Sequence, residues 1–282
     1  MPLFRSILFL TLLFPTVLWA EPLRLFTAVA PIQIIAEHIG AKHVVAQSLV
    51  KPGFDPHHYE PTPQQIRALS NADLYVRSEM PFEQAWLPRI QSANPGMQIV
   101  GAEPGTHVAR PHGHHEHGEH PELHRWTSPA QALEIAKAVS NSLSQMAPQH
   151  AGDFARNLAR LREQFRTLDA ELKEQLGQLQ ERHFLVFHPA WDYFAEAYGL
   201  HQIAIEHEGK QPGARTLAHL IEEAREQRIR AVLVQPQMDT RLAQRVAGEI
   251  GAQVITIDPL ADDYPHNLRR LAQALVQASR HD

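Results

Sequence analysis

The sequence predicts an α/β protein: two lobes of parallel β-sheet flanked by helices, joined by one long backbone helix, with a binding site in the cleft between them. Three observations carry this. Phe154, Leu158, Leu161, Phe165, Leu168, Leu172, Leu176 and Leu179 recur at spacings of three or four, with Arg, Glu, Lys and Gln between them. That is the period of one amphipathic helix, expected over 149–179. At 1.5 Å per residue it would be about 46 Å long, more than the width of a small domain, so it can run along two lobes and fix their separation. Periodicity alone fits a bundle or coiled-coil helix equally well. What decides is the stretch beyond it, where short apolar runs alternate with helical ones in the pattern of an open parallel sheet. Finally, 282 residues suffice for two domains of ordinary size. The expected division is a signal at 1–20, a first lobe at 21–147 carrying a His-rich loop at 107–124, a linking helix at 148–180 and a second lobe at 181–282.

Composition sets the outer limits. A net charge of -5 with no long basic run offers no electrostatic attraction for nucleic acid. The chain has no Cys and 19 His. Disulfides and thiolate metal sites are therefore excluded, and any metal must be held by imidazole and carboxylate.

In chain order, Arg5 precedes an apolar run from Ile7 that reaches Trp19 and Ala20, with Glu21-Pro22 behind it. This reads as a cleavable secretory signal, so the mature protein is expected to be soluble and exported. The other reading, an uncleaved anchor, suffers because the run is shorter than the roughly 20 apolar residues that span a bilayer. No Cys follows to carry a lipid. Strands are expected at 23–30, 44–49, 73–77 and 98–101, and helices at 32–39, 82–91 and 129–146. Between the second strand and the next helix lies Lys51-Pro52-Gly53-Phe54-Asp55-Pro56-His57-His58-Tyr59-Glu60-Pro61-Thr62-Pro63. Four prolines and a glycine rule out regular structure there and make a stiff loop. Thr62, Pro63 and Gln65 then match a capping box with proline at the first helical position. Ser128, Pro129 and Gln131 repeat that signature just after His124-Arg125-Trp126. Beyond the long helix, strands are expected at 183–188, 201–205, 231–234 and 252–257, and helices at 192–198, 214–227, 241–250 and 265–279. Gly199 and Gly251 stop two of those helices.

The 107–124 segment holds seven histidines, five of them His112, His114, His115, His117 and His120. Gly, Pro and charge deny it a core, so it reads as a mobile loop. Neutral imidazoles on such a tether would bind and release zinc weakly and fast; the alternative is a solvated linker. Four other residues share a more telling position. His57, His124, His188 and Asp258 each follow a strand or precede a capped helix, where side chains of an open sheet face a cleft. Three imidazoles and one carboxylate form a tetrahedral set suited to Zn²⁺, and nitrogen-rich ligation favours zinc over Mn²⁺ or Ca²⁺. With 19 His, position alone does not single these out.

A resemblance does. Asp55 to Pro63, Asn71-Ala72-Asp73-Leu74, His124-Arg125-Trp126, Phe187-His188-Pro189-Ala190-Trp191-Asp192-Tyr193-Phe194 with Tyr198-Gly199-Leu200, and Asp258-Pro259-Leu260 are similar to the periplasmic metal-binding proteins of bacterial ABC importers (cluster A-I), most closely the zinc branch. The resemblance implies two lobes on a long helix and a metal held by His57, His124, His188 and Asp258, with His58 as a spacer. It implies capture of Zn²⁺ in the periplasm and delivery to a membrane permease by a carrier expected to be a monomer and not an enzyme. Manganese-binding relatives tend to carry a carboxylate where this chain has His188. The chain departs from the zinc branch in lacking a second-lobe disulfide, and from the family in reading Gln235-Pro236-Gln237 where Glu-Pro-Gln is common. Gln235 is expected to have no metal role, and Glu206 and Glu208 to support the cleft rim rather than ligate. The rival readings are a manganese or broad-specificity importer component and a secreted zinc hydrolase. For the hydrolase no His-Glu-x-x-His helix exists.

Overall fold

The computed structural model describes residues 21–101, 123–207 and 209–280. The expected signal at 1–20, the loop histidines His112, His114, His115, His117 and His120, and Glu208 lie outside the described residues.

The first sheet is built from β1 (Leu23–Thr27), β2 (Val44–Ser48), β3 (Leu74–Val76) and β4 (Gln98–Val100), with α1 (Ala30–Gly40), α2 (Pro63–Leu69), α3 (Pro81–Ala93) and α4 (Pro129–Met146) around it. The long helix is α5 (Ala151–Gly177). The second sheet has β5 (His183–Val186), β6 (His201–Ala204), β7 (Ala231–Val234) and β8 (Gln253–Thr256), interleaved with α6 (Asp192–Ala197), α7 (Ala214–Glu226), α8 (Arg241–Ile250) and α9 (Tyr264–Ser279). All pairings are parallel, and the two sheets share one order, β2-β1-β3-β4 and β6-β5-β7-β8. Each sheet reverses its winding between its two central strands, β1 and β3 or β5 and β7. Such a reversal opens a crevice at the strands' carboxyl ends, and the expected ligands sit at that edge.

The central strands β3 and β7 are buried on both faces: Leu74, Tyr75 and Val76, and all of β7, are buried. Helix α1 buries Ile32, Ile35, Ala36 and Ile39 on one stripe. Gly40 does not end it through a left-handed turn. A Cβ there would collide with the Val44 side chain, so glycine is required by the close approach of helix and strand. Gly251, in contrast, takes the left-handed conformation (φ 69°) and stops α8 as expected.

Helix α5 has 27 residues, about 40 Å of axis. It buries Phe154, Leu161, Phe165, Leu168, Leu172 and Leu176, while Leu158 is partly buried and Leu179 is buried just past the helix end. That stripe belongs to one continuous apolar cluster running from Leu25 in the first sheet and Ile32 in α1 to Phe184, Leu233 and Leu271 around the second. The two halves therefore share a core through the helix. Truncating Leu172, fully buried in its last third, would cost ~2–5 kcal/mol.

Both capping signatures fall at helix starts, but only one forms. Thr62 and Gln65 close a true capping box. Ser128 makes no side-chain cap, and the Gln131 side chain does not complete the box: its Oε1 accepts from the Arg125 guanidinium at 3.0 and 3.3 Å.

Candidate metal centre

His57 stands in the stiff loop between β2 and α2, within the short turn Pro56–His58. Asp55 fixes that turn: Oδ1 accepts from the His57 backbone N–H at 2.9 Å, and Oδ2 lies 2.7 Å from Nδ1 of His58. Beyond it, Tyr59 donates to Gln65 Oε1 at 2.9 Å, and Gln65 Nε2 donates to the Leu49 carbonyl at 2.7 Å. The loop is thereby tied to both the strand before it and the helix after it. The His58 side chain is 76% exposed.

His124 precedes the turn Arg125–Thr127. Its carbonyl accepts from the Thr127 backbone N–H at 3.0 Å and the Thr127 hydroxyl at 2.8 Å. Buried Trp126 donates its indole N–H to the Pro259 carbonyl at 2.8 Å, joining this segment to the one after β8. His188 follows β5, and its side chain is only 10% exposed. Its Nδ1 lies 2.5 Å from Oε1 of buried Glu206, which follows the neighbouring strand β6.

The three imidazoles converge. His188 Nε2 is 3.0 Å from His57 Nε2, which is 3.4 Å from His124 Nε2. One donor nitrogen from each of the three lies within 4.8 Å of the others. A tetrahedral Zn²⁺ with bonds of 2.0–2.1 Å spaces its nitrogen donors about 3.4 Å apart, so the set needs little rearrangement. Burial holds the His57 imidazole down to about 3, helped by the repulsion it would feel from His124 and His188 if charged. Burial likewise holds His124 down to about 3, with His188 adding to the effect. Both rings are neutral at any physiological pH, as a metal ligand must be.

Asp258 follows β8 as expected but is not in this convergent group. Its Oδ2 accepts from Gln237 Nε2 at 3.0 Å and its Oδ1 from the Leu260 backbone N–H at 2.9 Å, while Asn267 Nδ2 donates to its backbone carbonyl at 2.6 Å. Sequence reasoning placed Glu206 at the rim without seeing which histidine it serves. Gln237 and Trp126 stand in motifs read from the sequence, but neither was given a role there. For Gln237 a signal existed: Gln235-Pro236-Gln237 lies at the carboxyl end of β7, the same sheet edge that carries His188 and Asp258.

The family model described as "ZnuA: Zinc-uptake complex component A periplasmic" matches residues 25–278. The chain belongs to this family. It is 35% identical to the protein in "Crystal structure of ZnuA", over 92% of this chain and all of that one, with a TM-score of 0.84. A structure described as a ZnuA deletion mutant with zinc bound is equally similar. The chain is 26% identical to the zinc-binding lipoprotein AdcA of Streptococcus pneumoniae over 84% of its length, and spans about half the length of that relative. To the iron-binding protein YfeA of Yersinia pestis it is 28% identical over 86% of this chain and 80% of that one. A Mn-bound periplasmic metal-binding protein from candidatus liberibacter asiaticus shares the fold, at 21% identity and a TM-score of 0.80. These similar proteins differ in the metal named for them. Among the described residues, no helix is long and apolar enough to cross a membrane.

Proposed function

We propose that this protein captures Zn²⁺ in the periplasm and delivers it to the permease of an ABC importer, and that it is a carrier and not an enzyme. The observation that carries this is the convergence of His57, His124 and His188 through their Nε2 atoms at spacings of 3.0 and 3.4 Å. Three imidazole nitrogens favour Zn²⁺ over Mn²⁺, which prefers more oxygen. Asp258 is assigned the fourth position, reached when its Oδ2 leaves Gln237. A fourth protein ligand closes the coordination, leaving no position for an activated water, so hydrolysis is not expected. The exported carrier, freed of residues 1–20, works as a monomer that docks on the permease. His112, His114, His115, His117 and His120 serve as a weak collector, so their deletion leaves the tight site intact.

Release has to act locally. Helix α5 and the apolar cluster it shares with both sheets resist a large hinge motion, so docking would open the loop bearing His57. The second reading, manganese or iron import, is favoured by the similarity to YfeA, but His188 in place of a carboxylate weighs against it. Competitive calorimetry with Zn²⁺ and Mn²⁺ separates the two. Zinc should bind more tightly and lose that advantage in His57→Ala; tighter Mn²⁺ binding would sink the zinc reading.

A further inference from the structure

A second group of metal-competent side chains lies at the opposite end of the first sheet. His43 immediately precedes β2, whereas the cleft is at the strands' carboxyl ends. Facing it across the start of α5 are His150, at the residue before the helix, and Asp153 in its first turn. One donor atom from each of His43, His150 and Asp153 lies within 4.8 Å of the others. His43 Nε2 is 2.9 Å from Asp153 Oδ2, and the His43 side chain is 14% exposed.

We propose that His43, His150 and Asp153 form a second, weaker site for a divalent transition metal such as Zn²⁺, which pins the start of α5 to β2. Two imidazoles and a carboxylate are a borderline-soft donor set, suited to Zn²⁺ rather than Ca²⁺ or Mg²⁺. The positions are sound: His150 and Asp153 are three apart on a helix start and so share a face, and His43 is braced edge-on by buried Phe154, with ring centroids 5.7 Å apart. One movement is required. The His43 and His150 rings now stack, centroids 3.8 Å apart and planes 21° from parallel, so their lone pairs cannot meet at one point. His150 is only partly buried and can swing out of the stack to bring its nitrogen to about 3.4 Å from the others.

Two features keep the site weak. Arg156 also binds the Asp153 carboxylate, and an ion there must displace it. The positive end of the α5 dipole also opposes a cation, an effect the Asp153 charge offsets. A weak site suits a reporter of zinc abundance better than a store. Filled, it would stiffen the junction of α1, β2 and α5, where Asn157 Nδ2 already donates to the Ile39 carbonyl at 2.9 Å.

The test uses the full chain carrying His57→Ala to silence the cleft, titrated with Zn²⁺ by calorimetry. Adding His150→Ala and Asp153→Asn together should remove one equivalent of zinc and the zinc-dependent part of the melting shift, whatever the loop histidines bind. An unchanged number of equivalents overturns the proposal. Should that variant fold poorly, crystals of the unaltered chain soaked in Zn²⁺ decide: an anomalous zinc peak between residues 43, 150 and 153 upholds the site, and its absence removes it. Both readouts are independent of the metal the cleft prefers.

Discussion

Nδ1 of His188 sits 2.5 Å from Oε1 of Glu206, a residue 18 positions further on and one strand across. This contact decides which ring nitrogen serves the cleft. With Nδ1–H donating to the carboxylate, the lone pair is on Nε2, the atom 3.0 Å from His57 Nε2. The carboxylate also makes the imidazole a stronger donor to a metal.

Glu206→Ala should therefore weaken zinc binding about 10–100-fold, the usual effect of losing such a partner, although Glu206 is not among the convergent donors. Glu206→Gln should recover part of that loss, since an amide oxygen can still accept from Nδ1. Chelator competition measures both. Equal affinities for Glu206→Ala and the unaltered chain would refute the orienting role.

His188→Asp tests metal choice directly. It replaces one soft nitrogen by a hard oxygen in a set that otherwise stays the same, so the preference for Zn²⁺ over Mn²⁺ should shrink. Because aspartate is shorter, zinc affinity should fall as well. Parallel titrations with the two ions give the ratio; a ratio no smaller than that of the unaltered chain would show that His188 does not set specificity.

The pH response follows from two rings held at about 3 in the folded chain, against 6.5 when unfolded. The unfolded chain takes up protons below pH 6.5 that folded His57 and His124 refuse, so their contribution to stability is fully present above pH 6.5 and declines as pH falls toward 3. Zinc affinity should not fall steeply near pH 6.5 on account of these two residues, because neither must lose a proton to bind. A metal-free melting temperature rising with pH between 4 and 6.5, and that rise reduced in His57→Ala, is the expected pair of results.

Most of the fold was legible because local signals agreed with global ones. The spacing of Phe154 to Leu176 required one helix, and α5 buries all of those residues but Leu158, which is partly buried; Thr62 and Gln65 marked the start of α2. Strand ends ran one to three residues long, as at 183–188 against His183–Val186 and at 23–30 against Leu23–Thr27, where Ala30 already begins α1, because apolar residues such as Phe187, Ala28 and Val29 stay buried after leaving the sheet. In the candidate site, His57, His124 and His188 were singled out by position and resemblance together, and their nitrogens converge. The hold of Gln237 on Asp258 was not visible, since it joins side chains after two different strands and leaves no periodic trace. The pairing of His43 with Asp153, 110 residues apart, was hidden for the same reason.

Trp126 links the halves of the site. Its indole N–H donates to the Pro259 carbonyl, 133 residues on and next to Asp258. Trp126→Phe keeps most of the ring but strands a buried carbonyl, which should cost ~1–3 kcal/mol in denaturant unfolding. Zinc affinity should fall too, because the turn carrying Asp258 loses its anchor to the segment carrying His124. Lower stability with unchanged affinity would mean that the Asp258 turn is held well enough without it.

Glu83 gives the opposite pH sign from the cleft histidines. Buried at the start of α3, it accepts from the Tyr75 hydroxyl at 2.8 Å, the Ser78 N–H at 3.1 Å and the Met80 N–H at 2.6 Å. Burial nevertheless outweighs these bonds and pushes its carboxyl up to about 7. Its folded value is thus above the unfolded 4.5, so the folded chain holds a proton that the unfolded one releases. Its contribution is fully present below pH 4.5 and is lost as pH rises to 7, on the order of 3 kcal/mol in all. In Glu83→Gln the amide oxygen can take the two backbone donors while the amide nitrogen donates to Tyr75. That variant should gain stability relative to the unaltered chain as pH rises from 5 to 7.5. Urea unfolding of both proteins across that range isolates the residue, because the histidine contributions cancel in the difference. A difference that stays constant with pH would mean that Glu83 is already ionised in the folded chain, its three donors outweighing burial.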